Sequence, residues 1–164
     1  MDRKRFLTSS LLGLSSLVVS PILASQRHML SDEIPIEVIK EFVTAGHNDL
    51  DRVQGMLAKR PFLLHSRYDW GNGDYEEAIE GAAHLGRKDI ANYLIEQGAR
   101  VNLFTLTMLG KKDLVIPILE EYPSLIQAQG PHGFSMLHHA KMGGADAQGI
   151  FDYLKEKGLE TLKF

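Results

Sequence analysis

Apolar residues recur at helical spacing along most of the chain, and short turns containing glycine or proline interrupt them. The clearest stretch covers residues 76–102, where one apolar stripe ends at Gly86 and a second ends at Gly98. The apolar positions are Ala78, Ile79, Ala82, Ala83, Ile90, Tyr93, Leu94 and Ile95. Gly86 suits the positive φ of a tight helix–helix turn, and Gly98 suits the left-handed residue after a helix. The pattern predicts two short helices, which need further copies to bury their apolar faces.

Three further copies of this pattern follow the same phasing. Residues 36–67 carry two apolar stripes that the turn at His47 separates, and residues 103–128 carry two more around Gly110. Residues 129–158 form the last copy, around Gly144. The third copy is shortened, because its Gly110 lies only 24 residues after Gly86 of the second copy. The fourth copy has the full repeat length, since Gly144 lies 34 residues after Gly110.

The shortened third copy lacks a segment that the second copy has. Residues 68–75 (YDWGNGDY) are rich in Gly, Asn and Asp and predict a loop or a short β-hairpin finger, whereas Asn102 leads almost at once into the next helix. Pro117 lies inside the second helix of the third copy and is expected to bend it or to open one hydrogen bond. Two extra residues lie between Gly144 and Gly158, compared with Gly86 and Gly98.

The N-terminal residues predict an export signal separate from the fold. Arg3, Lys4 and Arg5 form a positive region, and Phe6 to Gln26 carries no charge, which is the layout of a signal peptide with cleavage after Ala24. The first residues also resemble a twin-arginine signal in which Lys4 replaces the second arginine. The alternative is an uncleaved membrane anchor, since the uncharged run is about long enough to span a bilayer. The predicted organisation is a signal peptide at 1–24, a linker at 25–35, a repeat domain at 36–158 (copies 36–67, 68–102, 103–128 and 129–158) and a tail at 159–164, read as a closing helical turn or a short tail.

The repeated pattern resembles that of the ankyrin repeat proteins. In the second copy the matching residues are Ala82, Ala83, Gly86, Ile90, Leu94, Ile95, Gly98, Ala99 and Asn102. In the later copies they are Gly110, Gly133, Ser135, Leu137, His138, Ala140 and Gly144. The resemblance covers about residues 36–158. In detail the sequence is similar to small bacterial ankyrin proteins. It implies an all-α repeat solenoid of about four helix-turn-helix repeats with short β-hairpin fingers, in which these residues have packing and turn roles and His138 braces a turn.

The resemblance also implies a function. Ankyrin repeats bind other proteins through a concave side built from fingers and first helices, and their consensus residues are not catalytic. The expected function is therefore a non-enzymatic protein-binding module, exported to the periplasm or cell envelope of a bacterium. A membrane-anchored scaffold and a small metal-dependent hydrolase stand as alternatives.

The finger in the second copy provides the predicted partner-binding residues. Exposed aromatic residues on a loop are common anchors of protein interfaces. The candidates are Tyr68, Asp69, Trp70, Asp74, Tyr75, His132 and Phe134. The competing interpretation is that Trp70 folds back over the edge of the second copy.

Composition and spacing argue against several kinds of chemistry. The chain has no cysteine and a formal net charge of −3, so thiolate chemistry is excluded and no nucleic-acid partner is expected. His132, His138 and His139 suggest a metal site at first sight, but adjacent helical residues point in different directions and no carboxylate has a recognisable spacing to them. We therefore predict no metal and no cofactor, with His84 assigned to capping a turn. Glu76, Glu77 and Glu80 are interpreted as a solvated acidic face, and a membrane partner is expected only through the N-terminal segment.

Overall fold

The computed structural model describes residues 33–164. The predicted signal peptide and nearly all of the predicted linker lie outside these residues. Within residues 33–164, no helix combines the length and the apolar character needed to cross a bilayer.

The described chain is mainly helical, and the prediction of an all-α fold is confirmed at that level. Its α-helices are α1 (Ile36–Gly46), α2 (Leu50–Lys59), α3 (Ala78–His84), α4 (Lys88–Glu96), α5 (Leu103–Met108), α6 (Lys112–Glu121), α7 (Met136–Gly143) and α8 (Gln148–Glu156). Shorter 3-10 helices cover Pro61–His65, Pro123–Gln127, Pro131–Gly133 and Gly144–Ala147. Two short strands, β1 (Arg67–Asp69) and β2 (Tyr75–Glu77), pair antiparallel as a hairpin.

Local sequence signals set the helix boundaries. The side chain of Asp49 accepts the backbone N–H of Arg52 at the start of α2, and Ser135 accepts the N–H of His138 at the start of α7. These side chains satisfy backbone donors that a helix leaves unpaired at its first turn. Gly86 has φ of +72° between α3 and α4, as the turn requires. Helix α6 continues as one element from Lys112 to Glu121 across Pro117.

The helices pack as four successive pairs. We call α1–α2, α3–α4, α5–α6 and α7–α8 helix pairs 1 to 4, and the first helices α1, α3, α5 and α7 contact one another in that order. Helices α1 and α3 approach very closely. A Cβ added to Gly46 would lie only 2.4 Å from the carbonyl oxygen of Ala78. Small residues on both helices, including Ala82 and Ala83 with no exposed area, allow this approach.

The core forms two apolar clusters along the array. The first lies mainly in pairs 1 and 2, where it includes Phe42, Leu63, Ile90 and Leu94, and it extends to Met108 of pair 3. The second lies in pairs 3 and 4 and includes Leu119, Met136, Ile150 and Leu154. Burial of these side chains is the main source of stability, at about 1.5–3 kcal/mol for each large apolar residue.

The short third pair brings pairs 2 and 4 into direct contact. Helix α5 has 6 residues, and pair 3 has no hairpin among its residues 103–128. Nζ of Lys88 donates to the carbonyl of Gly143 and contacts the Asp146 carboxylate, both at 2.6 Å. Nε2 of His138 donates to the carbonyl of His84 at 2.8 Å. The imidazole of His138, which we expected to brace a turn, thus links α7 to the end of α3.

The C-terminal residues are packed and extended. Leu159 is 1% exposed, and Lys163 forms an isolated antiparallel bridge with Phe134. The Ser135 hydroxyl donates to the carbonyl of Thr161 at 2.6 Å. The alternative of a closing helical turn is therefore wrong, and residues 159–164 pack as a tail against the start of α7.

Candidate functional site

Four side chains that are far apart in the sequence converge beside the hairpin. We call His47, Glu76, His84 and His132 the histidine cluster. Each offers one nitrogen or oxygen atom, and these atoms all lie within 4.8 Å of one another. Glu76 is 0% exposed and His84 is 3% exposed, whereas the side chains of His47 and His132 are 18% and 26% exposed.

Each member comes from a different element. His47 follows the last residue of α1, Glu76 lies in β2, His84 ends α3, and His132 lies in the turn Pro131–Gly133. Gly81 of α3 makes room for the first of them, since a Cβ at this position would lie 2.8 Å from Nδ1 of His47. The close packing of α1 on α3 therefore places one imidazole at the edge of the next helix pair.

The Glu76 carboxylate is the centre of the cluster. Its Oε2 lies 3.5 Å from Nε2 of His47 and 3.6 Å from Nε2 of His132. Its Oε1 lies 3.2 Å from Nδ1 of His84, but the orientation does not make a hydrogen bond. Among residues 33–164, neither of these two buried atoms has a hydrogen-bond partner. A buried carboxylate is costly unless charge or hydrogen bonds compensate it, and the unpartnered Oε1 leaves this compensation incomplete.

Outer contacts determine which nitrogens face the centre. Nδ1 of His47 donates to the carbonyl of Val43 at 3.0 Å, and Nδ1 of His132 donates to Oδ2 of Asp74 at 2.7 Å. In the neutral imidazole the other nitrogen then carries a lone pair. In that form both Nε2 atoms would present lone pairs to Glu76.

Asp74 also orients the backbone of the turn that carries His132. Its Oδ1 accepts the backbone N–H of His132 at 2.8 Å, and His132 has a φ of +58°, an uncommon value for a residue with a side chain. Burial alone would raise the pKa of Asp74, but the hydrogen bonds from His132 outweigh this effect and lower it. Asp74 is thus an ionised partner behind the imidazole.

Aromatic side chains enclose the cluster. Nε1 of Trp70 donates to Oε2 of Glu76 at 2.7 Å, and the Trp70 ring lies 5.9 Å from that of His132. Phe134 lies 5.2 Å from the ring of His84 and stacks on His138 at 4.0 Å. These rings exclude water from one side of the carboxylate.

The predicted partner-binding residues divide into two groups. Trp70, Asp74, His132 and Phe134 meet around the histidine cluster, as described above. Tyr68 is half-buried and lies 4.8 Å from the Trp70 ring. The inward hydrogen bond of Trp70 matches the interpretation in which this residue folds back over the second copy.

The other two predicted residues face outward. Asp69 is exposed, and its Oδ1 accepts the N–H of Gly71 at 2.8 Å within the hairpin loop. Tyr75 is 52% exposed. Tyr75 is therefore the aromatic residue of the hairpin that remains available to a partner.

The prediction of a solvated acidic face is wrong. Glu76, Glu77 and Glu80 are all less than a tenth exposed. Oε1 of Glu77 accepts from Arg100 at 3.0 Å. Oε2 of Glu80 accepts the Glu77 N–H, and its Oε1 accepts from Asn102, both at 2.7 Å. Burial raises the pKa of Glu80, although the Glu77 N–H and Arg67 act against this rise.

His138 and His139 lie outside the histidine cluster. Nδ1 of His139 donates to the carbonyl of Ser135 at 2.8 Å, so its Nε2 carries no proton in the neutral form. That Nε2 is buried without a partner among the described residues. Burial lowers the pKa of His139 to about 4. His139 is therefore a neutral core histidine.

A groove runs along the hairpin where pair 3 lacks a finger. It has a volume of about 500 Å³ and lies between the Gly73–Tyr75 end of the hairpin and Pro131. Leu103 and Phe104 of α5 contribute apolar surface, and Arg67 and Glu80 contribute charge. The groove therefore combines apolar and charged surface beside the exposed Tyr75.

Sequence reasoning missed three members of the histidine cluster. His47 and His84 were assigned to turns and Glu76 to a solvated face, and only His132 was considered for metal binding. The signal that links them is positional. His47 and His84 follow or end the first helices of adjacent copies, so stacking of those helices makes them neighbours. The relation of Glu76 to either histidine depends on the path of the hairpin, which spacing does not encode.

No family model matches the chain, and no curated protein matches it.

Proposed function

We propose that this chain is an ankyrin-type repeat module that binds another protein through its hairpin side and has no enzymatic activity. The observation that carries the proposal is the groove beside Tyr75, which the missing finger of the third copy leaves open. An exposed aromatic side chain at the rim of an apolar groove is the arrangement of many interface anchors.

The helix arrangement supports the repeat assignment. Four helix pairs pack through successive first helices, as stacked repeats do. Gly86, Gly110 and Gly144 all have positive φ at the turn between the two helices of their pairs. Residues of the family pattern, including Ala82 and Leu94, occupy the core between pairs.

The groove suits an extended segment of a protein partner. Leu103 and Phe104 are half-buried and offer an apolar floor, and Tyr75 offers a large exposed side chain at one edge. Half of the Arg67 side chain is exposed, so it can donate to a carbonyl or carboxylate of the segment. Such a contact combines an apolar anchor with a polar group that fixes direction.

Site-specific photo-crosslinking in the native cell tests this proposal. A photoreactive residue at position 75 should label a discrete protein, whereas one at position 122 should not, because Tyr122 is equally exposed at 58% but lies outside the groove. With the purified partner, Tyr75→Ala should weaken binding about tenfold or more, and Tyr122→Ala should leave it unchanged. Identical labelling from both positions, or none from position 75, would refute the groove as the binding surface.

The proposed location is the bacterial cell envelope, on the basis of the signal-like residues 1–24. A mature N-terminus near Ser25, determined by mass spectrometry of protein recovered from cells, is the expected result. Retention of residues 1–24 in the membrane fraction would instead support the anchored scaffold.

A further inference from the structure

We infer that His47, Glu76, His84 and His132 bind one divalent transition-metal ion of the Zn²⁺ class, and that this ion ties helix pairs 1, 2 and 4 together. The inference goes beyond protein binding, and none of the four proposed ligands lines the groove. It rests on the convergence of unpartnered ligand atoms on one buried carboxylate.

The donor set defines the class of ion. Three imidazole nitrogens and one carboxylate oxygen suit Zn²⁺, Cu²⁺, Ni²⁺ or Fe²⁺, whereas Ca²⁺ and Mg²⁺ require mostly oxygen ligands. Zinc in a protein takes four such ligands as a tetrahedron, and a site with four protein ligands is structural. The histidine cluster provides four, so we assign it a structural role.

The separations fit that geometry. Metal–ligand bonds of about 2.0–2.1 Å place tetrahedral ligands about 3.3 Å apart. Oε2 of Glu76 lies 3.5 Å from Nε2 of His47 and 3.6 Å from Nε2 of His132, which is long for hydrogen bonds and close to two edges of such a tetrahedron. Nδ1 of His84 lies 3.2 Å from the other oxygen, Oε1, and one donor atom from each of the four residues lies within 4.8 Å of the rest. His47 and His132 are partly exposed, so small ring rotations can shorten the longer separations between histidines.

The hydrogen-bond pattern around the imidazoles suits a cation at the centre. His47 and His132 each use Nδ1–H on an acceptor outside the cluster, so in their neutral forms the Nε2 lone pairs point at a carboxylate oxygen. Two lone pairs and a carboxylate repel one another unless a positive charge lies between them. The buried Oε1 of Glu76 and Nδ1 of His84 lack hydrogen-bond partners among residues 33–164, as expected for atoms that ligate an ion.

The surroundings resemble those of natural metal sites. A ligating histidine usually donates its second N–H to a carboxylate or a backbone carbonyl, and Asp74 and Val43 accept these bonds here. The partly exposed side chains of His47 and His132 provide a route for the ion to enter. Protonation of the histidines is the competing way to neutralise Glu76, and the experiment below distinguishes the two.

Cobalt titration of the full chain, first stripped with a chelator, tests the inference. One equivalent of Co²⁺ should produce the intense visible absorption of a tetrahedral site, and equimolar Zn²⁺ should abolish it. The chain has one tryptophan, and Trp70 donates to Glu76, so saturable quenching of its fluorescence by Co²⁺ should follow the same titration.

Matched variants locate the site. Glu76→Gln and His132→Ala should weaken Co²⁺ binding at least a hundredfold, whereas His65→Ala, which removes an exposed histidine outside the cluster, should leave it unchanged. The side chain of His132 is about a quarter exposed, so His132→Ala provides a folded variant if Glu76→Gln does not fold. Circular dichroism checks the helix content of each variant.

Three results would overturn the inference. They are the absence of a saturable cobalt signal in the wild-type chain, unchanged binding in His132→Ala, or an equal loss of binding in His65→Ala. The first would assign the positive charge near Glu76 to protonated histidines.

Discussion

Asp74 and His132 are 58 residues apart in the chain, yet Oδ2 of Asp74 accepts the Nδ1–H of His132 at 2.7 Å. The contact joins the hairpin of pair 2 to the turn that precedes pair 4, across the place where pair 3 has no finger. Asp74 thereby fixes both the tautomer and the orientation of an imidazole in the histidine cluster.

Replacement of Asp74 by asparagine should weaken metal binding without removing a ligand. Loss of a carboxylate behind a ligating histidine lowers metal affinity by about 10–100-fold. The measurement is the cobalt titration of Asp74→Asn, with Asp69→Asn as the control because the exposed Asp69 carboxylate accepts the Gly71 N–H within the hairpin loop. Equal affinities in the two variants would contradict the orienting role of Asp74.

Metal binding should raise the thermal stability of the chain. An ion at a thousand times its Kd, bound only to the folded state, stabilises that state by about 4 kcal/mol. For a chain of this size the melting temperature should rise by roughly 10 °C, and a chelator should reverse the rise. Calorimetry of the wild-type chain and of Glu76→Gln checks this, since an equal rise in the variant would place the ion elsewhere.

His139 should make the fold sensitive to acid. Burial lowers its folded pKa to about 4, against the usual value of about 6.5 in the unfolded chain. Between these two pH values the unfolded state binds more protons, so stability falls as the pH falls, by about 3 kcal/mol in total.

The variant His139→Leu isolates this effect. Its free energy of unfolding should depend less on pH between 6.5 and 4 than that of the wild-type chain, as measured by urea denaturation. His65→Leu removes an exposed histidine and should keep the wild-type pH dependence. If His139→Leu also kept it, the buried imidazole would not be the source of the acid sensitivity.

Two glycines in pair 1 should respond to alanine in opposite directions. A Cβ at Gly46 would lie 2.4 Å from a backbone oxygen of α3, so Gly46→Ala must separate α1 from α3 and should cost about 1–3 kcal/mol. A Cβ at Gly55 meets nothing within 4 Å, so Gly55→Ala should stabilise α2 by about 0.5–1 kcal/mol. Chemical denaturation of both variants measures the two changes in the free energy of unfolding. Destabilisation by Gly55→Ala would contradict the packing described here.

The helices and hairpin were predictable because their signals are local. Gly86 and Gly98 mark turns through their backbone freedom alone, and the apolar stripe of α4 needs only helical periodicity. Residues 68–75 predicted a loop or a short hairpin from their Gly, Asn and Asp content. The placement of residues 159–164 was not predictable, because the bridge from Lys163 to Phe134 depends on how the chain returns to α7.

The acidic residues at the start of α3 were misjudged for a different reason. A glutamate at a helix start usually faces water, and nothing nearby in the sequence reveals a partner for Glu76, Glu77 or Glu80. Their partners are distant in the sequence: Arg100 and Asn102 lie at the exit of the same copy, and His47 comes from pair 1. Burial of these carboxylates is thus a property of the tertiary packing.

The contacts between pairs 2 and 4 change how the array should unfold. In a chain of repeats that touch only their neighbours, the terminal unit can fray while the rest stays folded. Here Lys88 bonds to Gly143 and Asp146, and His132 bonds to Asp74, so loss of the last pair also removes contacts of the second. Pairs 2, 3 and 4 form a closed ring of contacts, and these three pairs should melt in a single cooperative step.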